Sequence, residues 1–280
     1  MKKIDYAKKY FDDIHTMMSC PFCFSAVNIK NDSLICFNNH TFDISKKGTA
    51  VLYKTSKLKK SKIYNNNLFM NRRKFINRGF YDKLYSEISS IINQINVNTI
   101  LDMGSGEGSH DIKIINLLNN KKVKLIGIDL SKDGIDLSND FIGNNYIGIV
   151  GDLNQLPFKD NTIDLILNIL SPANEKEMSR VLKKDGIIIK VTPKSQYLCE
   201  LRNELKINDY ENELIIENKL YEKYDVLMKK EIIDSYPLDN ENLKYLINMT
   251  PLMSHIDLVP SIKSITIALN IYVLRIKYDL

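Results

Sequence analysis

Short apolar runs recur from residue 98 onward and alternate with segments that have the period of a helix. Each run is nearly continuous and rich in Ile, Leu and Val, which is typical of strands buried on both faces. The predicted strands are residues 99–103, 123–129, 146–150, 163–170 and 187–191. Strands that alternate with helices predict a parallel sheet covered on both faces, and therefore an α/β fold.

Other segments have different patterns. Apolar residues three to five positions apart between 75 and 95 predict a helix that is broken near Gly79. Asn174 and Glu177 have the spacing of a capping box for another helix, which ends before Gly186. Residues 54–62 contain five lysines and no apolar period, so we interpret them as an exposed linker.

The chain has 280 residues, enough for one large or two modest domains with a buried core. Its 44% hydrophobic and 26% charged residues are ordinary for a globular protein and exclude wholesale disorder. No stretch approaches the roughly 18 consecutive apolar residues of a spanning helix, and the start has no secretory apolar core. We therefore expect a cytoplasmic protein that does not enter membranes.

The net charge of +5 is unevenly distributed along the chain. Residues 1–85 contain seventeen Lys and Arg against six Asp and Glu, a balance of +11, and the remainder has a balance of −6. Such asymmetry favours a polyanionic partner for the N-terminal third, with nucleic acid first and an anionic membrane surface second. A solvated basic surface with no specific partner is the alternative.

Three of the four cysteines fall within seventeen residues, in the pattern Cys20-x2-Cys23-x12-Cys36-x3-His40. Two knuckles of this kind can complete a tetrahedron around one zinc ion, with all four positions filled and none open for catalysis. A disulfide is less favoured because no secretory signal precedes it, and a redox motif would require a following helix. The fourth cysteine, Cys199, has the spacing of a buried helical residue.

The first predicted strand of the α/β region leads directly into a glycine loop, Gly104-Ser105-Gly106-Glu107-Gly108. Such a loop lets the backbone approach a ligand closely. The Gly-x-Gly-x-Gly spacing and the preceding Asp102 favour S-adenosylmethionine over a nicotinamide dinucleotide. A carboxylate there can meet the cationic amino-acid end of the cofactor, directly or through water.

Two further acids end the next predicted strands. Asp129 can accept hydrogen bonds from the ribose hydroxyls, and Asp152 can accept one from the adenine amino group. Each residue alone is more often a turn or helix cap. Acids at three consecutive strand ends beside a glycine loop make the cofactor interpretation the stronger one.

With these motifs the sequence resembles the 23S rRNA guanine-N1 methyltransferases of the RlmA type, and more closely their Gram-positive, macrolide-resistance-associated branch. The residues that carry the resemblance are the Cys20, Cys23, Cys36, His40 spacing with Phe42-Asp43 and Gly48, then Asn71-Arg72-Arg73-Lys74-Phe75, Leu101 to Gly108, Leu156-Pro157-Phe158, Asn168 to Asn174, and Met249-Thr250-Pro251-Leu252. They span nearly the whole chain in the expected order.

The resemblance implies a Rossmann-like class I S-adenosylmethionine methyltransferase domain at 71–280, a Cys3His zinc-binding module at 1–53, and a basic linker at 54–70. It implies transfer of a methyl group to N1 of a guanine in a hairpin loop of 23S rRNA, and a homodimer is possible. The implied cofactor-binding residues are Asp102, Gly104, Ser105, Gly106, Glu107, Gly108, Asp129, Asp152 and Leu153.

Two departures from the family pattern stand out. Ser105 replaces a cysteine common in the glycine loop, a small exchange that should spare cofactor binding. Ser254 stands where relatives often have Trp, which puts a packing contact in doubt.

The acceptor side of the site is expected after the fourth strand of the α/β region, at Asn168, Ser171 and Pro172. Asn168 and Ser171 can hydrogen-bond a base edge, or they can merely close the sheet. The N1 proton of guanine must leave during attack, and no residue of the sequence identifies the base that accepts it. Candidate RNA-binding residues are Lys57, Lys59, Lys60, Lys62, Arg72 and Arg73, although either arginine could instead pair with a carboxylate.

Two other functions remain open at the level of sequence. The chain could methylate a small molecule, in which case neutralising the lysines of 54–62 would leave the reaction unchanged. It could also be a non-catalytic, zinc-dependent RNA-binding protein, which would not bind S-adenosylmethionine.

Overall fold

A mixed β-sheet of eight strands forms the centre of the part of the chain that the structure describes. The computed structural model describes residues 1–53, 63–206, 212–251, 253 and 260–277. In chain order its helices and strands are α1 (Lys3–Ile14), β1 (Val27–Lys30), β2 (Ser33–Cys36), β3 (Thr41–Asp43), β4 (Ala50–Leu52), α2 (Asn66–Asn77), α3 (Asp82–Ile92), β5 (Thr99–Met103), α4 (Ser109–Leu117), β6 (Lys124–Asp129), α5 (Lys132–Ser138), β7 (Tyr146–Gly151), β8 (Ile163–Ile169), α6 (Glu175–Val181), β9 (Leu182–Pro193), α7 (Cys199–Glu204), α8 (Glu213–Lys223), β10 (Tyr224–Pro237), α9 (Asn240–Met249) and β11 (Ser264–Ile276).

The strands of the central sheet have the order β10-β11-β9-β8-β5-β6-β7-β4. The predicted α/β fold is confirmed, since the five predicted strands are β5 to β9 and each pairs parallel with its neighbours in that group. The chain passes from β5 to β6 and β7 on one side and then to β8 and β9 on the other. The strand order therefore reverses between β5 and β8, where ligands of such sheets bind.

The sheet differs from the predicted parallel one at its far edge. Strands β10 and β11 add to β9 in antiparallel register. Most residues of β10 are at least partly exposed, so this strand has no apolar run to reveal it. Strand β9 also begins five residues before the predicted position 187, because Leu182 pairs with Ile163 of β8.

The N-terminal residues form a small antiparallel sheet, β1-β2-β3, among the described residues, and also pack on the central sheet. Ala7, Phe11 and Ile14 of α1 share a buried core with Leu101 and Ile126. Strand β4 pairs parallel with β7 and so forms the other edge of the central sheet. The segment predicted as a separate zinc-binding module is therefore continuous with the core of the α/β region.

The predicted helix between 75 and 95 is interrupted as expected, since α2 and α3 meet at a bend where Gly79 has φ +90°. The predicted capping box is half formed. Asn174 Oδ1 accepts a hydrogen bond from the Glu177 amide at 3.1 Å, but the Glu177 carboxylate accepts one from the Leu156 amide at 2.7 Å. Among the helices described, none combines the length and the apolar character needed to cross a bilayer.

Candidate cofactor cavity and metal site

The four predicted metal ligands meet at one point beside the small sheet. The ligand atoms of Cys20, Cys23, Cys36 and His40 all lie within 4.8 Å of one another. The Cys23 and Cys36 sulfurs are 3.7 Å apart, and His40 Nδ1 lies 3.6 Å from Cys20 Sγ and 3.4 Å from Cys36 Sγ. Zinc bonds of ordinary length at tetrahedral angles give about 3.8 Å between two sulfurs and about 3.5 Å between sulfur and nitrogen. The arrangement therefore fits one tetrahedral zinc ion.

Neighbouring groups form hydrogen bonds with the three sulfurs and partly oppose burial, which raises the pKa of the Cys20 thiol to about 11. The Phe22 amide donates to Cys20 Sγ at 3.4 Å, and the His40 amide donates to Cys36 Sγ at 3.3 Å. The hydroxyl of Ser25 lies 3.1 Å from Cys23 Sγ, and its hydrogen bond lowers the pKa of that thiol to about 5. Because zinc binds the deprotonated thiol, these hydrogen bonds support metal binding.

A cavity of about 1280 Å³ opens at the carboxyl ends of the parallel strands, at the point where the strand order reverses. Small-molecule sites commonly occupy about 300–1,000 Å³, so this cavity has room for a cofactor and part of a second substrate. The predicted site residues that line it are Arg72, Gly104, Ser105, Asp129, Leu153, Ser171 and Pro172. The glycine loop thus faces the same space as residues 170–174, the loop after β8 that is called the acceptor-side loop below.

Gly104 lets these two loops approach each other. Its φ is +89°, and a Cβ atom placed on it would lie 1.8 Å from the Ser171 hydroxyl oxygen and 2.7 Å from Ser171 Cβ. Any other residue would therefore both strain the backbone and overlap the acceptor-side loop. This close approach brings the glycine loop and the loop after β8 together at the wall of the cavity.

Asp129 is held in place by the glycine loop itself. Its carboxylate accepts hydrogen bonds from the Gly106 amide at 3.0 Å and from the Ser131 amide at 2.7 Å. Each carboxylate oxygen can accept more than one hydrogen bond, so both retain capacity toward the cavity. Burial raises the pKa of this carboxyl group, while the two amides oppose that shift.

Asp102 and Glu107 lie beneath the cavity rather than in its wall, with 2% and 1% of their surface exposed. Burial raises the pKa of Asp102 to about 7, and the nearby Asp129 and Glu107 charges add to the shift. Asp102 also interacts with the buried carboxyl group of Asp111 on α4, whose pKa is raised well above its usual value mainly by burial. These acids form a buried layer under the glycine loop, and burial raises the pKa of each.

Two other predicted residues are engaged within the protein. The Asp152 carboxylate accepts hydrogen bonds from the amide and the side chain of Asn154 at 2.8 and 2.9 Å, as in a turn. Asn168 is fully buried, and its side-chain amide donates to the Met103 and Pro172 carbonyls at 3.0 Å each. Asn168 therefore joins the end of β5 to the acceptor-side loop. This contact corresponds to the second role considered for Asn168 from the sequence, in which it closes the sheet.

The two candidate arginines have different surroundings. The Arg72 guanidinium lies 5.4 Å from the centre of the Phe69 ring and faces the cavity. Arg73 instead forms an ion pair with the Asp140 carboxylate at 2.8 Å, which is the alternative considered for it from the sequence. It also donates a hydrogen bond to the Leu137 carbonyl. The candidate residues Lys57, Lys59, Lys60 and Lys62, as well as Ser254, lie outside the described residues.

Comparison with known proteins agrees with this geometry. A family model described as "Methyltransferase domain" matches residues 96–248, and a zinc-ribbon model described as "RlmA, N-terminal" matches residues 18–62. A Bacillus subtilis (strain 168) protein named "Putative 23S rRNA (guanine-N(1)-)-methyltransferase YxjB" is 34% identical over 92% of this chain and 96% of its own length. The chain belongs to the RlmA-type 23S rRNA (guanine-N1-)-methyltransferase family.

Other relatives of this family member are more distant. The Streptomyces fradiae "23S rRNA (guanine(748)-N(1))-methyltransferase" is 22% identical over 86% of both chains. A chain from the Haloferax volcanii complex of the Trm112 methyltransferase activator has a TM-score of 0.50, with 15% identity over 79% of this chain and all of its own length, which supports the fold alone. As a family member with this cavity and this Cys3His cluster, the chain uses S-adenosylmethionine and one zinc ion.

The cavity of this methyltransferase also contains polar residues that the sequence analysis missed. Lys190 of β9, His110 at the start of α4 and Tyr197 all line it. The Tyr85 hydroxyl lies 2.8 Å from His110 Nδ1, and burial lowers the pKa of His110 to about 3, so this imidazole is neutral. A signal for Lys190 was present, since it is the single charged residue in the run Ile187 to Val191.

Proposed function

We propose that this chain transfers the methyl group of S-adenosylmethionine to N1 of a guanine in a hairpin loop of 23S rRNA. The proposal rests on the presence of both the Cys3His cluster and the cofactor cavity in one chain. Both lie in a chain that aligns over nearly its full length with the Bacillus subtilis relative. Guanine N1 lies on the pairing edge, so an unpaired loop nucleotide is the substrate that such a cavity can receive.

Within this function we propose that Cys20, Cys23, Cys36 and His40 bind the zinc ion. The cofactor is held by the glycine loop, by Leu153 and by the three acids 102, 129 and 152. Asp129 binds the cofactor directly because it lines the cavity. Asp102 and Glu107 do not line the cavity and act from beneath the glycine loop. We further propose a cytoplasmic enzyme, where the thiols of the cluster remain reduced, and a homodimer as its oligomeric state.

The first test is chemical analysis of the product. Digested 23S rRNA from a strain that lacks the gene is compared by mass spectrometry with rRNA from its parent. We expect 1-methylguanosine to disappear from one hairpin loop and to return when the purified enzyme and S-adenosylmethionine are added. An unchanged nucleoside content, or loss of a methyl group from another atom, would contradict the proposal.

The second test assigns the cofactor site. Asp129→Ala should weaken binding of S-adenosylmethionine by about 10- to 100-fold, because hydrogen bonds to a charged group contribute about 1.5–3 kcal/mol. Asp225→Ala is the matched control, since Asp225 is exposed on the edge strand β10, outside the residues that line the cavity. Equal affinity of the two variants in calorimetry would refute the assignment.

The third test separates RNA from a small acceptor. Neutralising the lysines of 54–62 should weaken rRNA binding and reduce its salt dependence, since lysine–phosphate contacts release counterions. Binding of S-adenosylmethionine should be unchanged. Methylation of rRNA that does not respond to this change would favour a small-molecule acceptor instead.

A further inference from the structure

Lys190 is a half-buried lysine in the wall of the cavity, on the strand next to the one that leads into the acceptor-side loop. It is the cross-strand partner of Asn168 between β8 and β9. Its Nζ donates to Asn168 Oδ1 at 2.5 Å, and the same Asn168 is fixed through its amide group to the Met103 and Pro172 carbonyls. The position of the amine is therefore fixed by Asn168, which is itself held by two backbone carbonyls. Lys190 also lines the cavity.

The surroundings of Lys190 shift its protonation equilibrium toward the neutral amine. Among the residues that the structure describes, no carboxylate forms an ion pair with its amine. Burial lowers the pKa of Lys190 to about 8, and the charge of Glu175 on α6 opposes this shift. Tyr272 is its cross-strand partner on β11. Other charged or titratable residues that line the same cavity include Arg72, His110, Asp129, Lys132, Asp133, Tyr197 and Lys219.

We propose that Lys190 is the base that accepts the N1 proton of the guanine, an inference that rests on the proposed rRNA methyltransferase function. In the reaction the N1–H bond breaks and its proton moves to the neutral amine of Lys190. The nitrogen electron pair forms the new N1–CH3 bond, and the bond between methyl and sulfur breaks with its electrons left on sulfur. The products are 1-methylguanine, S-adenosylhomocysteine and the Lys190 ammonium, which returns its proton to water.

The hydrogen bond to Asn168 suits this role. The Asn168 oxygen accepts from the lysine nitrogen in both protonation states, so it fixes the amine without competing for its lone pair. With a pKa of about 8, about a quarter of Lys190 is neutral at pH 7.5, close to the balance that general base catalysis favours. This role also accounts for a lysine within the otherwise apolar run from Ile187 to Val191.

The test measures single-turnover methyl transfer to unmodified 23S rRNA transcript between pH 6 and 9. The variants are Lys190→Gln, which can still donate to Asn168, and Lys190→Arg, whose guanidinium is always protonated. The control is Lys183→Gln, because Lys183 lies on the same strand but is exposed and pairs with Asp164. Binding of S-adenosylmethionine and of RNA is measured for each variant.

The wild-type rate should rise with pH and level off above about 8. Both Lys190 variants should lose about 10²- to 10⁴-fold in rate while binding both ligands within about twofold, since a positioned general base contributes that much. Their remaining rate should rise steadily with pH. A second readout, the pH dependence of Lys190 acetylation in the free enzyme, should show a midpoint near 8.

Two results would overturn the assignment of Lys190. If Lys190→Arg retains the wild-type rate, positive charge rather than proton acceptance is what the reaction uses. If Lys190→Gln keeps the wild-type profile, another group accepts the proton. By contrast, a wild-type enzyme that does not methylate the transcript at any pH would refute the proposed function itself.

Discussion

Replacement of Gly104 by alanine tests whether contact between the two loops shapes the cofactor cavity. The new Cβ would lie 1.8 Å from the Ser171 hydroxyl and 2.7 Å from Ser171 Cβ. The hydroxyl can rotate away, but the Cβ of Ser171 is attached to the backbone. Because carbon atoms need about 3.5–4.0 Å, the acceptor-side loop must move by about 1 Å. The positive φ of +89° adds about 1–2 kcal/mol of backbone strain.

We expect Gly104→Ala to bind S-adenosylmethionine at least about tenfold more weakly and to lose about 2–4 kcal/mol of unfolding free energy. Calorimetry and urea unfolding measure the two effects separately. In the double variant Gly104→Ala, Ser171→Gly, the overlapping side chain is gone, so most of the affinity should return. The backbone strain remains, so the stability should recover only in part.

Gly143→Ala provides the matched control. Gly143 also has a positive φ, of +101°, and its added Cβ would lie 3.2 Å from the Tyr6 ring, outside the residues that line the cavity. This variant should lose stability but keep its affinity for S-adenosylmethionine. Normal binding by Gly104→Ala, or an unrestored double variant, would refute the idea that the contact between Gly104 and Ser171 shapes the site.

Two further predictions concern the metal and the buried acids. Removal of zinc by a chelator, or His40→Ala, should lower Tm by about 10 °C or more, because the metal supplies folding free energy, and an unchanged thermal scan would contradict this. Asp111→Asn should stabilise the protein increasingly as pH rises from 5 to 8. Its carboxyl group has a raised pKa, so ionisation favours the unfolded state by up to about 1.4 kcal/mol per pH unit. Urea unfolding at both pH values checks the difference, and a constant gap would argue against it.

The elements that the sequence predicted correctly are those determined by local sequence patterns. The apolar runs identified β5 to β9, and the spacing of Cys20, Cys23, Cys36 and His40 identified the metal cluster, because local patterns fix both. Strand β10 was missed because an exposed edge strand needs no apolar run.

The depth of each polar residue could not be read from sequence. Asp102 and Asp129 both end strands, yet α4 covers the first with Asp111 while the second faces the cavity. The contact of Asn168 with Lys190 joins strands 22 residues apart, so no local pattern encodes it. Such pairings are set by sheet register.

The distribution of charge changes meaning once the fold is known. Residues 1–53, which contain the zinc ligands, have seven Lys and Arg against five Asp and Glu, whereas residues 54–85 have ten against one. The basic excess therefore belongs to the segment between the zinc cluster and the α/β region. Arg72 of this segment faces the cofactor cavity. Phosphates drawn to the segment would bring an RNA loop toward the site of methyl transfer.

The zinc cluster is also joined to the cofactor cavity through one loop. The Ser19 amide donates to the Pro157 carbonyl at 3.0 Å, and the Gln155 side chain donates to the Pro21 carbonyl at 2.5 Å, inside the first knuckle. Leu153, two residues before Gln155, lines the cavity. An ion that orders the knuckle therefore also fixes part of the cavity wall. For this reason we infer that zinc loss weakens binding of S-adenosylmethionine as well as of RNA, which a detachable RNA-reading module would not do.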